Sequence, residues 1–65
     1  MPYLKISFEQ PLRAARAELE RQYLEYHMSL HDRRIDEVRK VAGMNRSHLY
    51  RLAHKLGIFR DQYGA

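Results

Sequence analysis

The chain has 65 residues, room for one small domain and no more. A domain of this size buries only about 60% of the surface its unfolded chain exposes, so small domains often lean on a disulfide, a metal or a second subunit. There is no cysteine, which excludes disulfides and thiolate metal sites and fits an intracellular protein. A partner subunit is the remaining common device. The net charge of +4 is unevenly placed: residues 1–30 carry four basic and four acidic side chains, residues 31–65 eight basic and four acidic. A basic half beside a neutral half suits a polyanionic partner, most often nucleic acid. No apolar run approaches the roughly 18 residues of a membrane span, and the start, Met1-Pro2-Tyr3-Leu4-Lys5, lacks the apolar stretch of a signal peptide.

Residues 1–7 read as an extended segment. Ser7 stands three before Gln10, as in a capping box, and Pro11 suits a first helical turn, where no N–H is needed. A first helix is expected over about 9–29. Leu12, Ala15, Leu19, Tyr23, Tyr26 and Leu30 recur at steps of three and four, an apolar stripe that Leu24 and Met28 widen. Arg13, Arg16, Glu20 and Arg21 make a solvated face, with Arg16–Glu20 and Arg21–Glu25 one turn apart. The stripe is broader than a small three-helix core requires. It serves either that core alone or a dimer seam formed by Leu12, Ala15, Leu19, Tyr23 and Tyr26. It spans too few heptads for an independent coiled coil.

Ser29 to Arg34 is polar and breaks the pattern. Asp32 can cap the next helix, and Asp36 and Glu37 suit a helix N-terminus. A second helix is expected over about 35–41, with Ile35, Val38, Val41 and Ala42 inward. Gly43 ends it. Asn45 caps a third helix over about 46–56, whose buried stripe is Leu49, Leu52, Ala53 and Leu56, and Gly57 closes it with Lys55 near the negative end of the helix dipole. Residues 59–65 form a tail in which Phe59 or Tyr63 can fold back. The fold class is all-α: a long helix followed by two short ones, with one domain over 8–58.

The two short helices, joined at Ala42-Gly43-Met44-Asn45, have the layout of a helix-turn-helix. Such a unit needs a residue tolerant of positive φ after the first helix, an apolar plug in the turn (Met44 here), and a capped second helix with one apolar face. The outer face of the third helix then carries Asn45, Arg46, Ser47, Tyr50, Arg51 and His54, donors and stacking groups suited to base edges and phosphates. Arg46 is the first choice for a base contact, since arginine can hold guanine through both acceptors of its major-groove edge. Asn45, Ser47 and Tyr50 are the other base candidates. Asn45 can equally be only a cap, and Tyr50 can close the core. His48, Arg51, His54, Lys55 and Arg34 are assigned to phosphates; His48 can also touch bases. Arg33, Arg34 and Lys40 are as readily a solvated face.

The run Ala42-Gly43-Met44-Asn45-Arg46-Ser47-His48-Leu49-Tyr50-Arg51, followed by Lys55-Leu56-Gly57-Ile58, resembles the Fis-type helix-turn-helix. That module ends the NtrC group of bacterial activators of sigma-54 RNA polymerase. The resemblance covers roughly residues 8–58 and is most specific from Gly43 to Tyr50. It implies a homodimer formed largely through the first helix, with recognition helices in successive major grooves of a palindromic site. It also implies a cytoplasmic, nucleoid-associated regulator of the response-regulator type, with an ATPase module and a sensor or receiver domain upstream. Where the family commonly has Gly-Asn before the second helix, this chain has Arg33-Arg34; where it has Ala-Ala, this chain has Val38-Arg39. An arginine four residues before the turn glycine must snorkel outward, or reach a phosphate, or the helices splay.

His27 and His31 are four apart, a potential two-ligand metal pair, but no third ligand stands at a convincing spacing. Neither a nucleophile–base pair nor a carboxylate pair in a plausible pocket is visible, and there is no glycine-rich phosphate loop. No enzyme, metal or cofactor is expected. Two further readings of the same residues stand beside sequence-specific DNA recognition. One is an architectural DNA-bending protein of low specificity. The other is a helical module whose first-helix stripe docks a partner protein.

Overall fold

A computed structural model describes residues 4–58 and contains three helices with no strand among them: α1 (Leu12–Leu30), α2 (Ile35–Ala42) and α3 (Arg46–Lys55). The tail assigned to 59–65, with Phe59 and Tyr63, lies outside the described residues. Helix α2 packs on both α1 and α3. The core consists of Leu24 and Met28 from α1, Val38 from α2, and Leu49, Ala53 and Leu56 from α3 and its end. Ala17, Ile35, Met44, Tyr50, Leu52 and Ile58 close around it, and no polar or charged residue is buried among the described residues. Burying one such Leu, Met or Val side chain contributes about 1.5–3 kcal/mol, so this short roster carries most of the folding free energy.

Of the broad apolar stripe of α1, the core takes only the two residues that widen it. Leu24 and Met28 are buried, whereas Leu12 is 74% exposed, Leu30 58% and Leu19 45%, with Tyr23 and Tyr26 also exposed and Ala15 half-buried. The true inner stripe is Ala17, Arg21, Leu24 and Met28, at steps of four, three and four. Arg21 hides it in the sequence. Rather than joining a solvated face with Glu25, Arg21 crosses the core edge, and its guanidinium Nη1 donates to the Leu56 carbonyl at 3.0 Å. A cation thus meets the negative end of α3 and ties the first helix to the third.

Helix α1 begins at Leu12, three residues later than expected, with Pro11 as its N-cap at ψ 150°. The residue before a proline is pushed out of the α region, so Gln10 cannot start the helix. Ser7 and Gln10 instead make a local turn ahead of it: Ser7 Oγ accepts from Glu9 N–H, and Gln10 Nε2 donates to the Ser7 carbonyl, both at 3.0 Å.

All three helices end in the same way. Two successive amides just past each helix reach back over its last turn: Gly43 to Lys40 and Met44 to Arg39, Gly57 to His54 and Ile58 to Ala53, Asp32 to Ser29 and Arg33 to Met28. This is the Schellman arrangement, which requires a left-handed residue at the exit. Glycine supplies it after α2 (Gly43, φ 70°) and after α3 (Gly57, φ 76°). After α1 it falls to Asp32 (φ 53°), followed by a second left-handed residue, Arg33 (φ 60°). Asp32 therefore ends α1 and does not cap α2, whose N-cap is Arg34 without a side-chain bond. Asp36 and Glu37 do occupy the first turn of α2. Val41, expected inward, is exposed, because the buried line of α2 runs through Ile35, Val38 and Ala42. Helix α3 ends at Lys55 with Leu56 as its cap. No helix among the described residues is long and apolar enough to cross a membrane.

Candidate nucleic-acid interface

Helix α3 is held from both ends. At its start, Asn45 Oδ1 accepts from His48 N–H at 2.7 Å, so the cap read in the sequence is present. The turn from α2 is short because Gly43 reverses the chain at positive φ and Met44 packs against the core. At the far end, Arg21 binds the Leu56 carbonyl. On the inner face Leu49 and Ala53 are buried and Leu52 half-buried, which fixes the rotation of the helix and hence what it shows to solvent.

Of the nine residues assigned to nucleic-acid contacts, Asn45, Arg46, Ser47, His48, Arg51, His54, Lys55 and Arg34 are exposed. Ser47, Arg51 and His54 fall together on the outermost line, at steps of four and three, while His48 and Lys55, seven apart, share one flank. Arg46 and Tyr50, four apart, share the flank toward α2. Tyr50 is the exception to exposure: it is half-buried and packs on the core, with the Arg46 guanidinium carbon 5.9 Å from its ring centroid.

An acid that sequence reasoning placed only at a helix start proves central to this flank. Asp36 Oδ1 accepts from Arg39 Nε at 3.2 Å, and Arg46 Nη1 lies 4.0 Å from the same oxygen. Arg39 turns its guanidinium to Asp36, and Val38 beside it fills the core. The signal for the α2 pair was available, since Asp36 and Arg39 are three apart on one helix. The link from Asp36 to Arg46 crosses the turn and has no sequence spacing to betray it.

Arg33, Arg34 and Lys40 are exposed near the start and end of α2. His27 and His31 stack nearly parallel, 11° between planes and 5.6 Å between centroids, with Tyr23 and Tyr26 against His27. Parallel stacked rings do not converge on a common point, and no group of three or more His, Cys, Asp or Glu among the described residues is placed to hold a metal. The chain matches no family model, no curated protein and no solved structure.

Proposed function

We propose that this chain is a sequence-specific DNA-binding domain acting as a homodimer, with α3 as the helix that enters the major groove. The observation that carries the reading is the outer surface of α3, an uninterrupted set of hydroxyl, amide, imidazole and cationic groups on a helix capped at its start and packed on its other side. Its ten residues span about 15 Å, and a helix fits a groove about 12 Å wide. Asn45, Arg46, Ser47 and Tyr50 face base edges in this arrangement; His48, Arg51, His54, Lys55 and Arg34 face phosphates. The amide nitrogen of Asn45 stays available for a base, because its cap uses only the side-chain oxygen.

The exposed apolar line of α1, Leu12, Leu19, Tyr23 and Tyr26 with half-buried Ala15, is the proposed dimer seam. A two-fold dimer sets two copies of α3 against an inverted repeat. The resemblance of Gly43 to Tyr50 to the Fis-type module supports this reading and suggests the C-terminal domain of a sigma-54-dependent activator, working in the cytoplasm on nucleoid DNA. No catalytic role is assigned to it.

The test is duplex binding over a series of salt concentrations by the wild type and by Arg46→Ala. The expected result is salt-dependent binding whose sequence discrimination falls by about 1–3 kcal/mol in the variant, with weak binding to any DNA retained. Discrimination unchanged by Arg46→Ala would remove Arg46 from the base contacts. Absence of salt-dependent binding would favour a different role for the same molecule, a protein-docking module, for which the exposed α1 line is the supporting observation.

A further inference from the structure

We infer that Asp36 is a positioning residue that sets the sequence specificity of Arg46; the inference rests on the DNA-binding reading above. An arginine at the start of a recognition helix discriminates guanine only if its guanidinium is presented edge-on to the base. A free arginine side chain has many rotamers and is drawn to the nearest phosphate instead. Here two groups stand near the Arg46 guanidinium. The Asp36 carboxylate is 4.0 Å away on α2, and the Tyr50 ring centroid is 5.9 Å away on the next turn of α3. Tyr50 is itself fixed by packing on the core. Asp36 is fixed by Arg39, which holds the same carboxylate oxygen at 3.2 Å from its own helix. The helix carrying Asp36 and the helix carrying Arg46 are joined by the short turn at Gly43 and Met44, whose amides bond back to the end of α2.

Asp36 has a second consequence. It is a negative charge, 58% exposed, within reach of the group that meets the DNA. A carboxylate there subtracts from sequence-independent attraction to phosphates while it orders the side chain that reads a base. The charge weakens binding to cognate and random duplex alike; only the ordering of Arg46 widens the gap between them. As stability alone, an exposed ion pair of this kind contributes little.

The experiment compares Asp36→Asn with Glu37→Gln on the duplex best bound by the wild type and on random duplex. Glu37 sits in the same first turn of α2 and is exposed, and neutralising it makes the same change in charge. Loss of either acid is expected to strengthen binding to random duplex by roughly twofold to threefold. Only Asp36→Asn is expected to cut the ratio of cognate to random affinity, by about fivefold, the lower end of one base contact. Asp36→Glu, which keeps the charge, restores part of that ratio. In an Arg46→Ala background, Asp36→Asn has no further effect on it. Thermal melting of each variant checks that the fold is retained.

If Asp36→Asn behaves as Glu37→Gln does while Arg46→Ala still abolishes discrimination, the positioning role is wrong and the DNA-binding reading stands. If Arg46→Ala leaves discrimination intact, the base contact falls and this inference falls with it. If the wild type binds no duplex, the functional reading itself is overturned, and Asp36 has nothing to position.

Discussion

Helices α1 and α3 contribute side chains to the same small core, yet turn opposite chemistry outward. The outer line of α1 is Leu12, Leu19, Tyr23, Tyr26 and Leu30, large apolar groups left in solvent. The outer line of α3 is Ser47, Arg51 and His54, flanked by Arg46, His48 and Lys55. Scattered exposed apolar residues are ordinary, and it is their alignment along one helix that underlies the proposed seam. The polar line of α3, with its cationic excess, underlies the proposed contact with DNA. The difference teaches that inward faces alone do not distinguish these helices; in the proposed reading, function is divided between their outward ones.

The comparison breaks most visibly when an inward residue is removed. Leu49→Ala, at a fully buried site, is expected to cost about 2–5 kcal/mol. That is comparable with the whole stability of so small a domain, so the cooperative thermal transition should vanish. Leu12→Ala, on the exposed side of α1, should stay within about 0.5 kcal/mol in the monomer. Equal losses at the two positions would mean that the outer line is core after all.

Next in size is Leu19→Glu, which places a charge on the proposed seam. It is expected to raise the dimer dissociation constant by about tenfold or more while leaving helicity unchanged, because burying an unpaired charge is costly. Sedimentation equilibrium reads the first quantity and far-UV circular dichroism the second. An unaffected association would place the seam elsewhere.

How far the molecule is legible from its sequence obeys the same division. The helices, the turn at Gly43, the Asn45 cap and the inner face of α3 are all readable, since each has a local signature of spacing or residue type. The inner face of α1 is not. An arginine in the middle of Ala17, Arg21, Leu24 and Met28 breaks the apolar pattern, and its reason for being there, the Leu56 carbonyl, lies 35 residues away. The exit from α1 is hidden likewise, because Asp32 and Arg33 take left-handed conformations that glycine usually signals. In the candidate interface, which side chains point outward is legible, but the bridge from Asp36 to Arg46 is not, because it is formed across a turn.

That exit supplies a smaller prediction. Arg33 is held at φ 60°, in a region that costs a residue with a side chain about 1–2 kcal/mol. Arg33→Gly relieves this and is expected to raise stability by roughly 1 kcal/mol, or a few degrees in Tm, read by thermal denaturation. A loss of stability would show that the Arg33 side chain contributes more than its backbone costs. The smallest effect expected is on α3. Lys55→Ala should weaken binding to all duplexes alike and reduce the slope of log affinity against log salt by about one, with discrimination unchanged.

The most direct test of the central claim is selection of bound duplexes from a random DNA library at near-physiological salt. The division of labour between α1 and α3 predicts recovery of an inverted repeat whose half-site spacing reports the dimer geometry. A single half-site would keep α3 as a reader and contradict the seam on α1. Binding without enrichment would contradict sequence-specific reading and point to an architectural protein, and no binding at all would contradict the assignment of α3 to DNA.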